Sequence, residues 1–302
     1  MRLTDAGLET VLVFNEGIEL PQFAAFPLVD SDEGRAALRR YYEPFLALAG
    51  DRSVPLVLSA PTWRANADWG RLLGYEAQDL ADVNERAVAF VESVRDQSLR
   101  SDARGNVEIE GSIGPRSDAY RPSFLMDAGE AERYHAVQVN TFADAGCGQA
   151  TALTLTYPEE AIGITRAASE AELRIRIGFT VETDGRLPNG DSIEDALLAV
   201  DNATDGAVES FMINCAHPTH FADGLPEGDA RGRIGGLRAN ASRLSHAELD
   251  EAEELDSGDP ADLAAHYLDL RRQLPGLELV GGCCGTDIRH VTAICDAWLA
   301  AD

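Results

Sequence analysis

Leu277-Glu278-Leu279-Val280-Gly281-Gly282-Cys283-Cys284-Gly285-Thr286 is an apolar run that stops at two glycines, two adjacent thiols and a third glycine, with helix-period sequence after it. Such a segment reads as a buried strand running into a helix, and its glycines permit backbone dihedrals closed to other residues. The approaching helix N-terminus is a positive dipole end that favours thiolate over thiol. Another thiol, Cys215, closes a second strand-like run, Val208-Glu209-Ser210-Phe211-Met212-Ile213-Asn214. Three candidate sulfur ligands therefore stand at the ends of two strands.

The same strand-then-helix unit recurs outward from this point. Strand-like runs lie at Pro55-Leu58, Val107-Glu110, Ala152-Leu155, Ile175-Phe179, Phe211-Ile213, Ile234-Leu237 and Leu277-Val280. A first strand is expected within the less regular Thr4 to Phe14. Helix-period segments fill most of the gaps, at Gly34 to Ala49, Asp79 to Leu99, Ala131 to Ala145, Ser192 to Val200, Asp262 to Leu274 and Ile288 to Trp298. Strands that alternate with helices pair in parallel through right-handed crossovers. Eight such units predict an α/β fold, a closed (β/α)8 TIM barrel in one domain over residues 1–302. An open doubly wound sheet is the alternative, but no early Gly-x-Gly-x-x-Gly follows a strand. Phe221 to Arg231, with Gly224, Pro226 and Gly228, reads as a long loop at the active face, and the Asp184-Gly185 and Asn189-Gly190 pairs mark turns after the fifth strand.

Composition narrows the setting. The net charge is −27, all 25 basic residues are Arg, and lysine is absent. Such a surface repels nucleic acid and anionic membranes, and it matches the acidic, lysine-poor proteins of salt-in halophiles. Folding and activity are then expected to require molar salt, which screens self-repulsion. The N-terminus lacks a basic and apolar signal, and no run approaches the length of a spanning helix, so a reducing cytoplasm is expected. Five cysteines make an odd set for disulfides. Oligomeric assembly, a homo-oligomer included, is left open.

In a barrel the C-terminal strand ends gather at one face, so Cys215 can meet Cys283 and Cys284 despite their separation in sequence. Zinc suits three thiolates with an open fourth position, where an incoming thiol would lose its proton yet stay nucleophilic. Spacing alone leaves a redox pair or buried packing open, because zinc sites usually show Cys-x-x-Cys. Cys147 and Cys295 lie in apolar helical surroundings and read as core.

The box Gly281-Gly282-Cys283-Cys284-Gly285-Thr286 with His290, the Ile213-Asn214-Cys215 segment with Pro218, Gly111-Ser112-Ile113-Gly114-Pro115, and Phe179-Thr180 leading to Asp184-Gly185 resemble the zinc-dependent homocysteine S-methyltransferases along nearly the whole chain. The resemblance implies Zn2+ on Cys215, Cys283 and Cys284, and a bound thiol that takes a methyl group from a small activated donor. Sulfonium, quaternary ammonium and corrinoid donors fit that class, with homocysteine as acceptor and methionine as product. It further implies that Asp5-Ala6-Gly7 holds the amino-acid substrate, with Asp5 on its ammonium and Asn214 beside the site. At the fourth strand, where the family usually carries a glutamate for that ammonium, the matching segment places Thr156. A zinc barrel acting on another thiol, or only binding a thiol metabolite, is the rival reading.

Other residues are weighed beside these. Glu159 and Glu160 read as first-turn residues of the next helix. His217 and His220 read as loop histidines beside the cleft, and His290 as a packing residue. Trp63, Arg64 and Trp69 are candidates to line the donor pocket, since aromatic faces attract cations. Ala239-Asn240-Ala241-Ser242 offers small polar groups for a carboxylate.

Overall fold

Each of eight short strands pairs in parallel with its neighbours in sequence, and the last closes onto the first. They are β1 (Arg2–Thr4), β2 (Leu56–Ser59), β3 (Val107–Ile113), β4 (Gln149–Leu155), β5 (Arg174–Phe179), β6 (Ser210–Asn214), β7 (Ile234–Ala239) and β8 (Leu279–Gly282). The computed structural model describes residues 1–99, 107–119 and 124–301. One helix from each crossover wraps the outside: α1 (Asp32–Arg52), α2 (Ala77–Leu99), α3 (Ala128–Asp144), α4 (Pro158–Glu170), α5 (Ile193–Ala203), α6 (Gly228–Gly232), α7 (Pro260–Gln273) and α8 (Ile288–Ala300). The expected TIM barrel is therefore what the chain forms.

Two local expectations are corrected. The first strand ends at Thr4, and most of the Thr4 to Phe14 stretch is helical, with Leu8–Thr10 running into a π-helical turn over Val11–Asn15. Three residues suffice for β1 because both edges are paired, Leu3 to Leu56 on one side and to Val280 on the other. The sixth crossover is the other case. Phe221 to Arg231 is broken by its proline and glycines into short helical turns ending in α6, and none of it lines the cavity described below. The mouth is lined instead by residues of the 249–256 segment, after β7.

The barrel interior carries charge. Arg238 on β7 reaches across to Asp5 (2.9 Å), Ser59 Oγ (2.9 Å) and the carbonyls of Ala6 (3.1 Å) and Gly282 (3.0 Å). Ser59 donates to Glu110 (2.9 Å), whose other oxygen accepts from Thr151 (2.6 Å) and Arg176 (3.0 Å). Two guanidinium groups thus face two carboxylates, and the buried layer is neutral as a whole. Burial of such groups is tolerated only when each is paired and hydrogen-bonded.

The glycines of the cysteine box are fixed by close approach. A Cβ at Gly281 would strike Thr4, and one at Gly282 would strike Thr286. Gly285 sits at φ +76°, in the left-handed region. The helix that follows is α8, capped by Asp287, which accepts from Arg289 N (2.9 Å) while its own N–H donates to His290 Nδ1 (3.1 Å). His290 Nε2 therefore bears the proton and donates to Ser257 O (2.8 Å), tying α8 to the loop before α7. Burial would raise the Asp287 pKa, but the hydrogen bonds its carboxylate accepts from the Arg289 guanidinium and backbone N–H outweigh it and hold the carboxyl well below the usual range. Asp287→Ala is expected to cost about 1–2 kcal/mol by denaturant titration. Because the folded pKa is depressed, that contribution is complete above the ordinary Asp range and fades only in strong acid.

Candidate active site

A cavity of about 470 Å³ opens at the C-terminal face, lined by residues at the ends of seven of the eight strands. Cys215, Cys283 and Cys284 meet there, their sulfurs within 4.8 Å of one another. Cys215 takes φ +56°, and Thr154 on β4 takes φ +64°. Both are non-glycine residues in the left-handed region beside the cavity, a place where backbone strain is commonly held for function. Each has a visible hold on it. Cys215 N donates to Arg238 O (3.0 Å), and Cys215 O bonds His246 Nε2 (3.0 Å).

Asn214 connects the two strained positions. Its amide oxygen accepts from Thr154 N (2.9 Å), and its Nδ2 donates to Thr154 Oγ1 (2.9 Å) and toward Cys283 Sγ (3.8 Å). Asn240 Nδ2 points likewise at Cys215 Sγ (3.8 Å). Amide donors aimed at sulfur favour thiolate. Opposing them, the hydrogen bond to Cys215 pushes the Cys283 thiol up to about 12, and bonds to Cys215 and Cys283 hold the Cys284 proton as well. A dication among the sulfurs reverses that balance by replacing the protons. Three soft donors on the cavity wall, with amide support, fit a thiophilic ion that keeps one position open.

The N-terminal segment packs against this box. Asp5, Ala6 and Gly7 all line the cavity. A Cβ at Gly7 would strike Cys283 O, whereas Ala6 is accommodated through bonds of its N and O to Tyr41 Oη (3.0 and 2.8 Å). Asp5 is already engaged, by Arg238 and by the Tyr41 hydroxyl (3.1 Å). Burial raises its pKa to about 6 in spite of Arg238.

Thr156 is buried outside the cavity lining, and Thr154 faces the cavity in its place. The register of β4 on β5 shifts between Ala152 and Leu155, which changes the residue that turns inward. Asn214 is fully buried and outside the lining, behind Thr154. Glu160 bonds His135 (2.9 Å) and Arg116 N (2.8 Å) away from the cavity. Trp63, Arg64 and Trp69 do line it, but the Arg64 guanidinium lies 3.8 Å from the Trp69 ring centre and occupies that aromatic face. His217 turns to another cluster with Asp262 and His266, and there Arg243 bonds Asp262 (2.6 Å), supplying the cation. The five cysteines, all among the described residues, form no disulfide, and Cys147 and Cys295 are buried elsewhere in the core.

Two residues of the site were not singled out by sequence reasoning. Arg238 is one, and its signal was a charge inside an apolar strand run. Glu9 is the other: it lines the cavity near Cys283, Asp5 and Arg64, and burial raises its carboxyl to about 7.

The closed barrel and the three-sulfur wall define a (β/α)8 enzyme that handles thiols beside a candidate metal centre. The family model for homocysteine S-methyltransferase matches residues 3–298, and the chain belongs to that family. It is a thiol methyltransferase. Among solved structures, the homocysteine methyltransferase MmuM from Escherichia coli is similar in three forms. The oxidized form is 18% identical over 100% of this chain and 96% of that one, with a TM-score of 0.77. The metallated form is 19% identical over 98% and 96%, with a TM-score of 0.75. The apo form is 19% identical over 98% and 95%, with a TM-score of 0.69. No curated protein sequence matches the chain.

Proposed function

We propose that this enzyme is a zinc-dependent, cytoplasmic methyltransferase that moves a methyl group from a small activated donor to homocysteine, giving methionine. The observation that carries this reading is the convergence of Cys215, Cys283 and Cys284 within 4.8 Å on the wall of one cavity. Zinc on these sulfurs supplies a centre that keeps an acceptor thiol as thiolate at neutral pH. The remaining work falls to the chain. Asn214 and Asn240 orient the sulfurs, Arg238 compensates their negative charge from below, and the cavity walls hold donor and acceptor in line. Among the described residues six carboxylates and two guanidinium groups line the cavity, a balance that favours a cationic sulfonium or quaternary ammonium donor over an anionic one.

Methyl transfer to homocysteine, followed across S-methylmethionine, S-adenosylmethionine, betaine and a methylcorrinoid protein, tests the reading. Turnover with at least one donor, dependent on zinc, is the expected result; zinc-replete protein inert toward all of them contradicts it. Thr154, rather than a carboxylate, at the inward position of β4 favours the second reading, a barrel that binds or methylates another thiol. Methyl transfer to other thiols, with homocysteine refused, would select it.

The absence of lysine and the charge of −27 support adaptation to molar salt. Ellipticity and activity are expected to fall together as KCl is diluted below the molar range. Full stability in dilute buffer contradicts that reading.

A further inference from the structure

An α-amino acid carries two opposite charges, and a site that orients one by its ends needs a carboxylate and a cation that are not already spent on each other. Among the described residues six carboxylates line the cavity: Asp5, Glu9, Asp118, Asp250, Glu254 and Asp256. Asp5 is held by Arg238 and Tyr41, and Asp118 by Arg64 (3.1 Å). Asp250, Glu254 and Asp256 belong to an exposed segment at the mouth. Glu9 differs from all of these: it is half-buried, lies in the electrostatic field of Cys283, and takes part in none of the ion pairs among the described residues.

The cations sort in the same way. Arg238 is consumed by four partners in the barrel interior. Arg64 has a side chain only 10% exposed, and one terminal nitrogen bonds Asp118. Its Nε is buried with no hydrogen-bond partner among the described residues. The Arg64 Cζ lies over the indoles of Trp63 and Trp69, at 5.0 and 3.8 Å from their centres. A buried donor left unpaired costs stability unless a ligand completes it, and a planar fork of this kind matches a carboxylate. Arg64 and Glu9 sense one another's charge without forming an ion pair.

We propose that Glu9 and Arg64 are the two jaws that hold the acceptor amino acid, Glu9 on its ammonium and Arg64 on its carboxylate, with its thiol directed to the three cysteines. The clamp rests on the thiol methyltransferase reading and assigns its acceptor selectivity to the helical turn after β1 and the loop after β2. It moves the ammonium contact away from Asp5 and from β4, and it explains why Thr154 can stand where a carboxylate is expected. Glu9 and Arg64 are positioning residues, since neither reaches the methyl group in this arrangement.

The test is calorimetric titration of the zinc-loaded protein with homocysteine, 4-mercaptobutanoate, which lacks the ammonium, and 3-aminopropane-1-thiol, which lacks the carboxylate. Glu9→Gln is expected to weaken homocysteine and the aminothiol roughly 10- to 100-fold while leaving mercaptobutanoate within about twofold. Arg64→Gln is expected to give the crossed result, weakening homocysteine and mercaptobutanoate but sparing the aminothiol, and Arg64→Lys to recover part of the loss. Because each variant must still bind one of the thiols normally, misfolding cannot imitate this pattern. Equal weakening of all three thiols, or of none, overturns the clamp. If the variants show the crossed pattern but the wild-type protein transfers no methyl group from any donor, the clamp stands and the transferase reading falls. Methyl transfer with homocysteine and mercaptobutanoate used equally well has the opposite meaning.

Discussion

Arg238→Met is expected to destabilise the folded protein by about 3–5 kcal/mol, the range for removing one partner of a buried charge pair. Arg238 is 4% exposed and its guanidinium meets Asp5 at 2.9 Å, Ser59 and two carbonyls. Methionine fills much of the volume, so packing changes little and the loss reports the stranded Asp5 carboxylate. The pH dependence has a definite sign. Asp5 ionises at about 6 with Arg238 present, and removing that cation raises the value further. A carboxyl whose folded pKa lies above its unfolded value loses stability as pH rises through the interval between them. The deficit should therefore be largest at pH 8 and smaller at pH 5, where the folded variant keeps Asp5 protonated. Adding Asp5→Asn to Arg238→Met should restore most of the stability at pH 8. A deficit below about 1 kcal/mol, or one insensitive to the second substitution, contradicts this account of the interior.

Cys283→Ala is expected to abolish both zinc content and methyl transfer. A thiol in water has a pKa of about 8.5, so roughly 3% is thiolate at pH 7, and loss of metal activation alone costs about 30-fold. The acceptor also loses its anchor, and lost orientation costs roughly a further 100-fold. The two together predict a fall in kcat/KM of at least about 10³-fold. Metal analysis and single-turnover methyl transfer on the same preparation read both effects. Retention of stoichiometric zinc with wild-type transfer contradicts the assignment, whereas Cys147→Ala, far from the cavity, should leave both unchanged.

Much of this architecture was legible because β-strands and helices write different periods. Apolar runs such as Leu56–Ser59 and Phe211–Ile213 mark buried parallel strands, and the spaces between them carry helical periodicity. The cysteine triad followed from strand order, since barrel closure brings β6 and β8 to one mouth. What stayed hidden depends on contacts distant in sequence. Thr154 faces the cavity because Asn214, 60 residues away, holds the β4 irregularity open, and no local pattern reveals that bond. Thr156 is expected there because the matching segment sets it at the position of the family's glutamate, and the irregularity of β4 turns Thr154 inward instead. Arg176 and Arg238 did leave a trace, as charges within Arg-Ile-Arg-Ile and Gly-Gly-Leu-Arg, but strand alternation cannot say that Arg238 meets Asp5 across the barrel. The helix dipole expected to act on the thiols is instead claimed by the Asp287 cap. Three residues of β1 are too few for any periodicity to declare itself.

Zinc held by Cys215, Cys283 and Cys284 would leave one position for an acceptor thiol. X-ray absorption at the zinc edge tests it most directly, on protein carrying one zinc per chain. A shell of three sulfurs, one from each cysteine of the triad, is expected at about 2.3 Å, rising to four when homocysteine is added. A shell dominated by nitrogen or oxygen, or a sulfur count that homocysteine leaves unchanged, would contradict it.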